Sequence, residues 1–191
     1  MKSRLLKSKL VVFVIMFLIF ISAMIAYSVF FRAPPSSSSS TPTRVLLVTS
    51  MGNITIELYS DMPITSSNFK NITQFGIYDG TLFHRVASSP AVIQGGDAGP
   101  KGIAVPTILD ELPNKHSNVR GSVAMAKTSS ANSASSQFYI NVNDNLYLDS
   151  NYSVFGNVTA GMDVVDVISQ VPTNSEKPIQ DVTITKALIL T

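Results

Sequence analysis

The pattern of hydrophobic and polar residues changes twice along the chain. Residues 10–31 are mostly apolar and carry no charge, residues 32–43 are mostly Ser and Pro, and from residue 44 onward short apolar runs alternate with polar ones. A helix rises about 1.5 Å per residue, so the first run is long enough to cross a hydrocarbon core of about 30 Å. The pattern predicts a transmembrane anchor, an extended linker and one folded domain, residues 44–191.

The predicted anchor follows a short basic tail, residues 1–9, which contains Lys2, Arg4, Lys7 and Lys9. Under the positive-inside rule this tail stays in the cytoplasm, and the folded domain lies on the outer side of the cell membrane. The alternative is a cleaved signal peptide, whose apolar core spans only about 7–15 residues. Residues 24–26 make a poor cleavage site, so an uncleaved anchor is favoured.

Strand-like runs dominate the predicted domain. Ile54, Ile56 and Leu58 alternate with polar residues, which predicts a strand with one buried face. The turn-like residues 50–53 join it to a preceding run as a hairpin. The predicted strands are residues 45–48, 54–59, 82–86, 91–94, 122–126, 137–142, 153–158 and 182–190.

Two helices are predicted between these strands. The first spans residues 61–75, begins near Pro63 and stops at Gly76, and its apolar face is formed by Phe69, Ile72 and Phe75. The second follows Gly161, where Met162, Val165 and Ile168 recur every three residues. Many short strands with two separated helices favour an antiparallel barrel or sandwich over a parallel α/β sheet.

The charge and the residue types exclude several classes of function. The whole chain has a net charge of +2, but residues 44–191 hold nine Lys or Arg against twelve Asp or Glu, a net charge of −3, so nucleic acid is not an expected partner. The absence of Cys excludes disulfides and thiol chemistry. His84 and His116 are the only imidazoles, no G-x-S-x-G motif occurs, and no metal-ligand spacing is present. We therefore expect neither a metal nor a cofactor.

Five stretches of the chain match the motifs of a known family, in the family's order and over nearly all of residues 44–191. They are FHRV (83–86), IQGGD (93–97), GSVAMAKTSSANSASSQFYINV (121–142), LDSNYSVFGNV (148–158) and GMDVVDVIS (161–169). Together they resemble the cyclophilin family of peptidyl-prolyl cis-trans isomerases, and the spacing from Ala126 to Gln137 resembles its prokaryotic branch. The resemblance implies a mainly β fold, a closed eight-stranded antiparallel β-barrel capped by two α-helices, with an active groove on its outer face.

The resemblance also implies the residues of that groove. Arg85 and Gln137 would be the catalytic residues, because a fixed cationic donor and an amide can bind a twisting peptide bond without moving a proton. The substrate-binding residues would be Val92, Gln94, Ala126, Lys127, Tyr139, Leu148 and Tyr152.

Two positions depart from the family's pattern. Ala91 stands about where the family usually has a phenylalanine in the pocket, which would remove part of one wall. Tyr147 stands where cyclosporin-sensitive members have tryptophan, which implies weak binding of that inhibitor. The expected partners are proline-containing polypeptides, bound by a monomer. The alternative is a binding module that holds such segments with little turnover.

Four Asn-x-Ser/Thr sequons begin at Asn53, Asn71, Asn151 and Asn157. A chain this rich in Ser and Thr would contain about two or three by chance, so the motif alone does not establish glycosylation.

Overall fold

The computed structural model describes residues 42–190. The predicted basic tail and transmembrane anchor, and all but the last two residues of the predicted linker, lie outside this range. No helix within it is both long enough and apolar enough to cross a membrane.

Eight antiparallel strands close into a barrel, in the spatial order 44–49, 182–190, 81–88, 91–95, 138–141, 122–125, 154–160 and 52–58. Every predicted strand is present, with ends within two residues of those predicted. The barrel strands are β1 (Arg44–Thr49), β2 (Gly52–Leu58), β3 (Thr81–Ser88), β4 (Ala91–Gly95), β5 (Ser122–Met125), β6 (Phe138–Asn141), β7 (Val154–Ala160) and β10 (Val182–Leu190).

The barrel interior is filled by the alternate residues of each strand, because successive side chains point to opposite faces. Val45, Leu47, Ile54 and Ile56 are fully buried in β1 and β2. In the middle of the core the rings of Phe69, Tyr78, Phe138 and Phe155 pack with centroids 5.0–5.4 Å apart. The interior is therefore a solid apolar core, and any binding site must lie on the outside.

Helix α1 (Pro63–Gln74) packs Phe69 and Ile72 into this core. Its N-terminus is capped by Glu111, a residue distant in the sequence. The Glu111 carboxylate accepts the N–H groups of Ile64 (3.0 Å) and Thr65 (2.7 Å). Gly76 follows the helix at a φ of 65°, as expected of a helix stop. One expectation is wrong, because Phe75 is 77% exposed and lies beyond the last helical residue instead of on the buried face.

Helix α2 (Met162–Ser169) buries Val165 and Ile168 in the same core. It begins after Gly161, whose φ of 90° and close approach to the backbone of Asn53 leave no room for a side chain.

The structure adds a small hairpin that the sequence pattern did not predict. Strands β8 (Thr173–Asn174) and β9 (Lys177–Pro178) pair with each other and lie outside the barrel sheet. Short 3-10 turns at Gly99–Lys101 and Leu146–Leu148 complete the described elements.

Candidate active site

An apolar cluster covers part of the outer face of the barrel. It consists of the buried residues that alternate with the interior ones on five neighbouring strands: Ala87, Val92, Ala124, Tyr139 and Val154. Tyr59, Ala126, Leu148 and Tyr152 pack against its edge and are only partly buried. Ligand pockets are lined mainly by apolar side chains, so this cluster on the outer face of the barrel marks the candidate site.

A bulge in β3 turns Arg85 toward this face. Phe83 points into the core, so regular alternation would turn Arg85 inward as well. The register with β4 instead shifts between these residues, with Phe83 opposite Gly95 and Arg85 opposite Gln94, which leaves His84 as the extra residue. Bulges of this kind commonly redirect side chains beside active sites.

An open cavity of about 140 Å³ lies over the outer cluster. Its floor and walls combine apolar side chains with a few polar ones at one side, the usual composition of a ligand pocket. It is lined by Arg85, Pro90, Val92, Gln94, Ala126, Lys127, Tyr139, Leu148 and Tyr152.

Four polar side chains form a continuous row along one side of the pocket. Arg85 Nε donates to Glu176 Oε2 (2.7 Å), and Arg85 Nη1 donates to Gln94 Oε1 (3.2 Å). Gln94 Nε2 in turn donates to Gln137 Oε1 (2.9 Å). The guanidinium is therefore held at two of its nitrogens, next to an apolar pocket that is open to solvent.

The floor of the pocket is held from below by a buried polar group. The Tyr139 hydroxyl donates to Oδ1 of the fully buried Asn118 (2.6 Å), and Nδ2 of Asn118 donates to Asp149 Oδ1 (2.8 Å). Burial raises the pKa of Tyr139 far above its ordinary value, so the ring stays neutral. Burial has the largest single effect on the pKa of Asp149 and would raise it, but hydrogen bonds donated by the backbone and the side chain of Asn118 help to lower this pKa below its ordinary value.

Lys127, which lines the pocket, belongs to an almost buried ion pair. Lys127 Nζ lies 2.6 Å from Asp110 Oδ2, and the two side chains are 10% and 12% exposed. Asp110 Oδ2 also accepts the N–H of Asn132 (3.1 Å), and the Ala126 N–H donates to the Gln137 carbonyl (2.9 Å). The N–H of Ala126 is thus occupied by the protein and is not free to bind a peptide.

His84 does not have the surroundings of a catalytic base. Within residues 42–190 its buried Nδ1 has no hydrogen-bond partner. Burial is the main effect on its pKa and lowers it, so the ring is neutral at pH 7. Its position in the β3 bulge indicates a structural role.

The structure brings most of the predicted site residues together and moves two away. Eight of the eleven line the pocket, and Gln137 joins the polar row. Ala91 is instead the first residue of β4, with its backbone bonded to Asn145, and Pro90 of the two-residue β3–β4 turn faces the pocket. Tyr147, in the second 3-10 turn, is 64% exposed and does not line the pocket.

Comparisons with known proteins agree with this geometry. Residues 44–189 match the family model described as cyclophilin type peptidyl-prolyl cis-trans isomerase/CLD. The chain belongs to this family. A peptidyl-prolyl cis-trans isomerase of Acinetobacter baylyi is 46% identical over 143 residues, covering 70% of this chain and 75% of the relative. Peptidyl-prolyl cis-trans isomerase A of Dickeya dadantii is 42% identical over 156 residues, covering 78% and 82%.

A solved cyclophilin has the same fold. The cyclophilin type peptidyl-prolyl cis-trans isomerase of Cryptosporidium parvum superposes with a TM-score of 0.72 at 26% identity, covering 78% of this chain and 98% of that structure. The cyclophilin domain described here accordingly accelerates rotation about the peptide bond that precedes proline. That reaction needs no nucleophile and no lasting proton transfer, which agrees with a site built from fixed donors and an apolar pocket.

Proposed function

We propose that Arg85 is the main catalytic group of this isomerase and that it acts on the nitrogen of the rotating bond. Resonance between carbon and nitrogen gives the planar amide a rotational barrier of about 18–20 kcal/mol. At the twisted midpoint this resonance is lost and the proline nitrogen gains a lone pair. A donor that meets the lone pair binds the transition state more strongly than either planar form, which is the condition for catalysis.

The observation that carries this proposal is the position of the guanidinium beside the apolar pocket. Arg85 lines the pocket with Val92 and Leu148, so a proline ring bound against them would bring its nitrogen to the edge where the guanidinium lies. Gln137, next to Gln94 in the polar row, is suited to hold the carbonyl side or the neighbouring backbone of the substrate.

Arg85 cannot supply the whole rate enhancement. A gain of about 10⁵ corresponds to about 7 kcal/mol. Removal of one well-aimed donor typically costs about 3–4 kcal/mol. The remainder would come from the pocket, which fixes the ring and excludes water, so that the hydrogen bonds at its edge are strengthened.

The test compares wild type, Arg85→Ala and Arg85→Lys in a prolyl-isomerisation assay, with peptide affinity measured separately. We expect Arg85→Ala to lose about 10²-fold or more in kcat while peptide affinity changes little. Arg85→Lys keeps the charge but not the fixed fork of donors, and should recover only part of the rate. Full activity of Arg85→Ala would refute this role for Arg85.

The structure gives no specific support to the alternative of a binding module with little turnover. That alternative depended on a pocket wall lost at Ala91. Pro90 lines the pocket next to that position and supplies apolar surface.

We further propose that the isomerase domain is tethered to the cell membrane by residues 10–31, with the catalytic site on the outer side and the tail inside. The support is the uncharged apolar run, the four basic residues before it and the Ser/Pro-rich linker after it. Its substrates would then be proline-containing segments of exported or surface proteins.

Fractionation of cells and protease treatment of intact cells test the tether. Full-length protein should remain in the membrane after a high-salt wash, and added protease should remove the domain. Release of the whole protein by salt, or protection of the domain in intact cells, would contradict the proposal. We also propose that the protein acts as a monomer, which light scattering in detergent would check.

A further inference from the structure

The β8–β9 hairpin supports β3 where the barrel sheet no longer does. Strand β10 pairs with β3 only from Thr81 to Phe83. Further along the same edge of β3, the N–H of Val86 donates to the carbonyl of Glu176 (2.7 Å). The hairpin therefore continues the edge of the sheet beside Arg85, after the β3 bulge has turned that side chain outward.

The side chain of Glu176, in the same hairpin, also holds Arg85. Its Oε2 accepts from Arg85 Nε (2.7 Å), while Gln94 on β4 accepts from Nη1 (3.2 Å). Two groups from opposite edges of β3 thus fix the plane of the guanidinium. Within residues 42–190 no hydrogen bond uses Nη2 of Arg85, so this nitrogen is left for the substrate.

Glu176 occupies a backbone position that does not favour glutamate. Ser175 and Glu176 have φ values of 49° and 67°, in the left-handed region where glycine or asparagine would be less strained. Strained backbone beside a functional site is a recognised reason to ask what the side chain does.

A contribution to folding stability does not explain why this ion pair is present. The side chains of Arg85 and Glu176 are 33% and 45% exposed, and exposed pairs of this kind contribute little to folding. Orientation is the larger effect, because an arginine side chain has many rotamers and only a few of them direct a donor at one atom of a substrate.

We propose that Glu176 is a positioning residue that orients Arg85 for catalysis. Glu176 does not touch the substrate. It removes the freedom of the guanidinium before the substrate binds, so that Nη2 faces the position of the proline nitrogen without further ordering. The inference rests on the proposed catalytic role of Arg85 and extends it to a residue 91 positions away in the sequence.

The test measures kcat and KM of the full-length protein in detergent micelles with a proline tetrapeptide. Glu176→Ala should lower kcat by about tenfold, because small misplacements of a catalytic group are costly, and should leave KM within about twofold. Glu176→Gln keeps an acceptor of the same length and should recover most of the loss. The matched control is Ser175→Gly, which changes the same turn but keeps the carboxylate, and it should retain wild-type kcat.

A double-mutant cycle separates positioning from a general effect on folding. In an Arg85→Ala background, Glu176→Ala should have no further effect on the residual rate. The proposal is overturned if Glu176→Ala retains wild-type kcat, if Glu176→Gln is as slow as Glu176→Ala, or if the effect persists without Arg85. If instead Arg85→Ala itself is fully active, the proposed role of Arg85 fails, and that result is distinct from a failure at Glu176 alone.

Discussion

Asn118 supports the pocket floor from beneath, and its replacement by alanine tests how much that support contributes. Its Oδ1 accepts from the Tyr139 hydroxyl (2.6 Å) and from Asn141 Nδ2 (3.2 Å). Its Nδ2 donates to Asp149 (2.8 Å). Asn118→Ala removes all three hydrogen bonds and leaves those of the Asn118 backbone in place.

The expected loss of stability depends on which hydrogen bonds the partners of Asn118 retain after the substitution. Asn141 Nδ2 retains a bond to Ser122 Oγ (2.9 Å), so its loss is small. Among residues 42–190 the Tyr139 hydroxyl has no other protein partner, and a buried unsatisfied donor costs about 1–3 kcal/mol. The bond to the Asp149 carboxylate contributes about 1.5–3 kcal/mol. We therefore expect Asn118→Ala to lose about 3–5 kcal/mol of a total stability of about 5–15 kcal/mol.

Urea denaturation of four variants measures this effect: wild type, Asn118→Ala, Tyr139→Phe and the double variant. Tyr139→Phe alone should lose only about 1 kcal/mol, since Asn118 keeps its bond from Asn141. In the double variant no hydroxyl is left unsatisfied, so the combined loss should be smaller than the sum of the single losses by about 1 kcal/mol or more.

Enzyme assays on the same variants connect this support to catalysis. A looser Tyr139 ring should raise KM for the peptide in Asn118→Ala at temperatures where the protein is still folded. The control is Asn143→Ala, because Asn143 is exposed. A loss below about 1 kcal/mol for Asn118→Ala, or strictly additive losses in the cycle, would refute this account of the floor.

Three further predictions concern other parts of the domain. Asp110→Asn leaves the Lys127 ammonium almost buried without its counter-ion and should destabilise the domain by about 2–3 kcal/mol in urea denaturation. Burial lowers the pKa of His84, so the unfolded chain binds a proton more readily; melting temperature should fall as pH drops below about 6.5 and hold steady above it. Gly161→Ala would drive a methyl group into the backbone of Asn53 at a φ of 90°, and should lower stability by at least about 2 kcal/mol.

Each of these predictions has a matched control. Glu57→Gln breaks the more exposed pair with Arg44 and should lose less than about 1 kcal/mol, and an equal loss would argue against burial as the cause. His84→Gln should flatten the pH dependence of the melting temperature between about pH 5 and 6.5, where unperturbed carboxylates are already ionised. Gly80 has a similar φ of 76° and open space around it, so Gly80→Ala should lower stability less than Gly161→Ala.

Most of the fold was predictable because it depends on local alternation and on turn residues. The strands and helices follow from apolar spacing, and Gly76 and Gly161 mark helix boundaries. The β8–β9 hairpin was missed because its residues are exposed, apart from Pro178, and because Ser175-Glu176 lacks the glycine that usually signals such a turn.

The site was predictable to the extent that its residues belong to contiguous motifs. Nothing local in the sequence pairs Glu176 with Arg85 or Asn118 with Tyr139, because both pairs depend on how distant segments meet. The β3 bulge was hidden for another reason, since residues 83–86 read as an ordinary strand. Pro90 lines the pocket where Ala91 was predicted to lie, and Tyr147 is exposed to solvent. These two placements depend on the geometry of a two-residue turn and of a 3-10 turn.

The division of each strand between an interior face and an outer face has a consequence for how such a protein can change. On β4, β5 and β6 the residues that fill the barrel (Ile93, Val123, Ile140) are sequence neighbours of those beneath the pocket (Val92, Ala124, Tyr139). A mutation in the residues beneath the pocket therefore need not change the packing of the residues that fill the barrel. New substrate preferences could therefore arise by drift or by directed evolution on the outer set, while an untouched interior keeps the protein foldable.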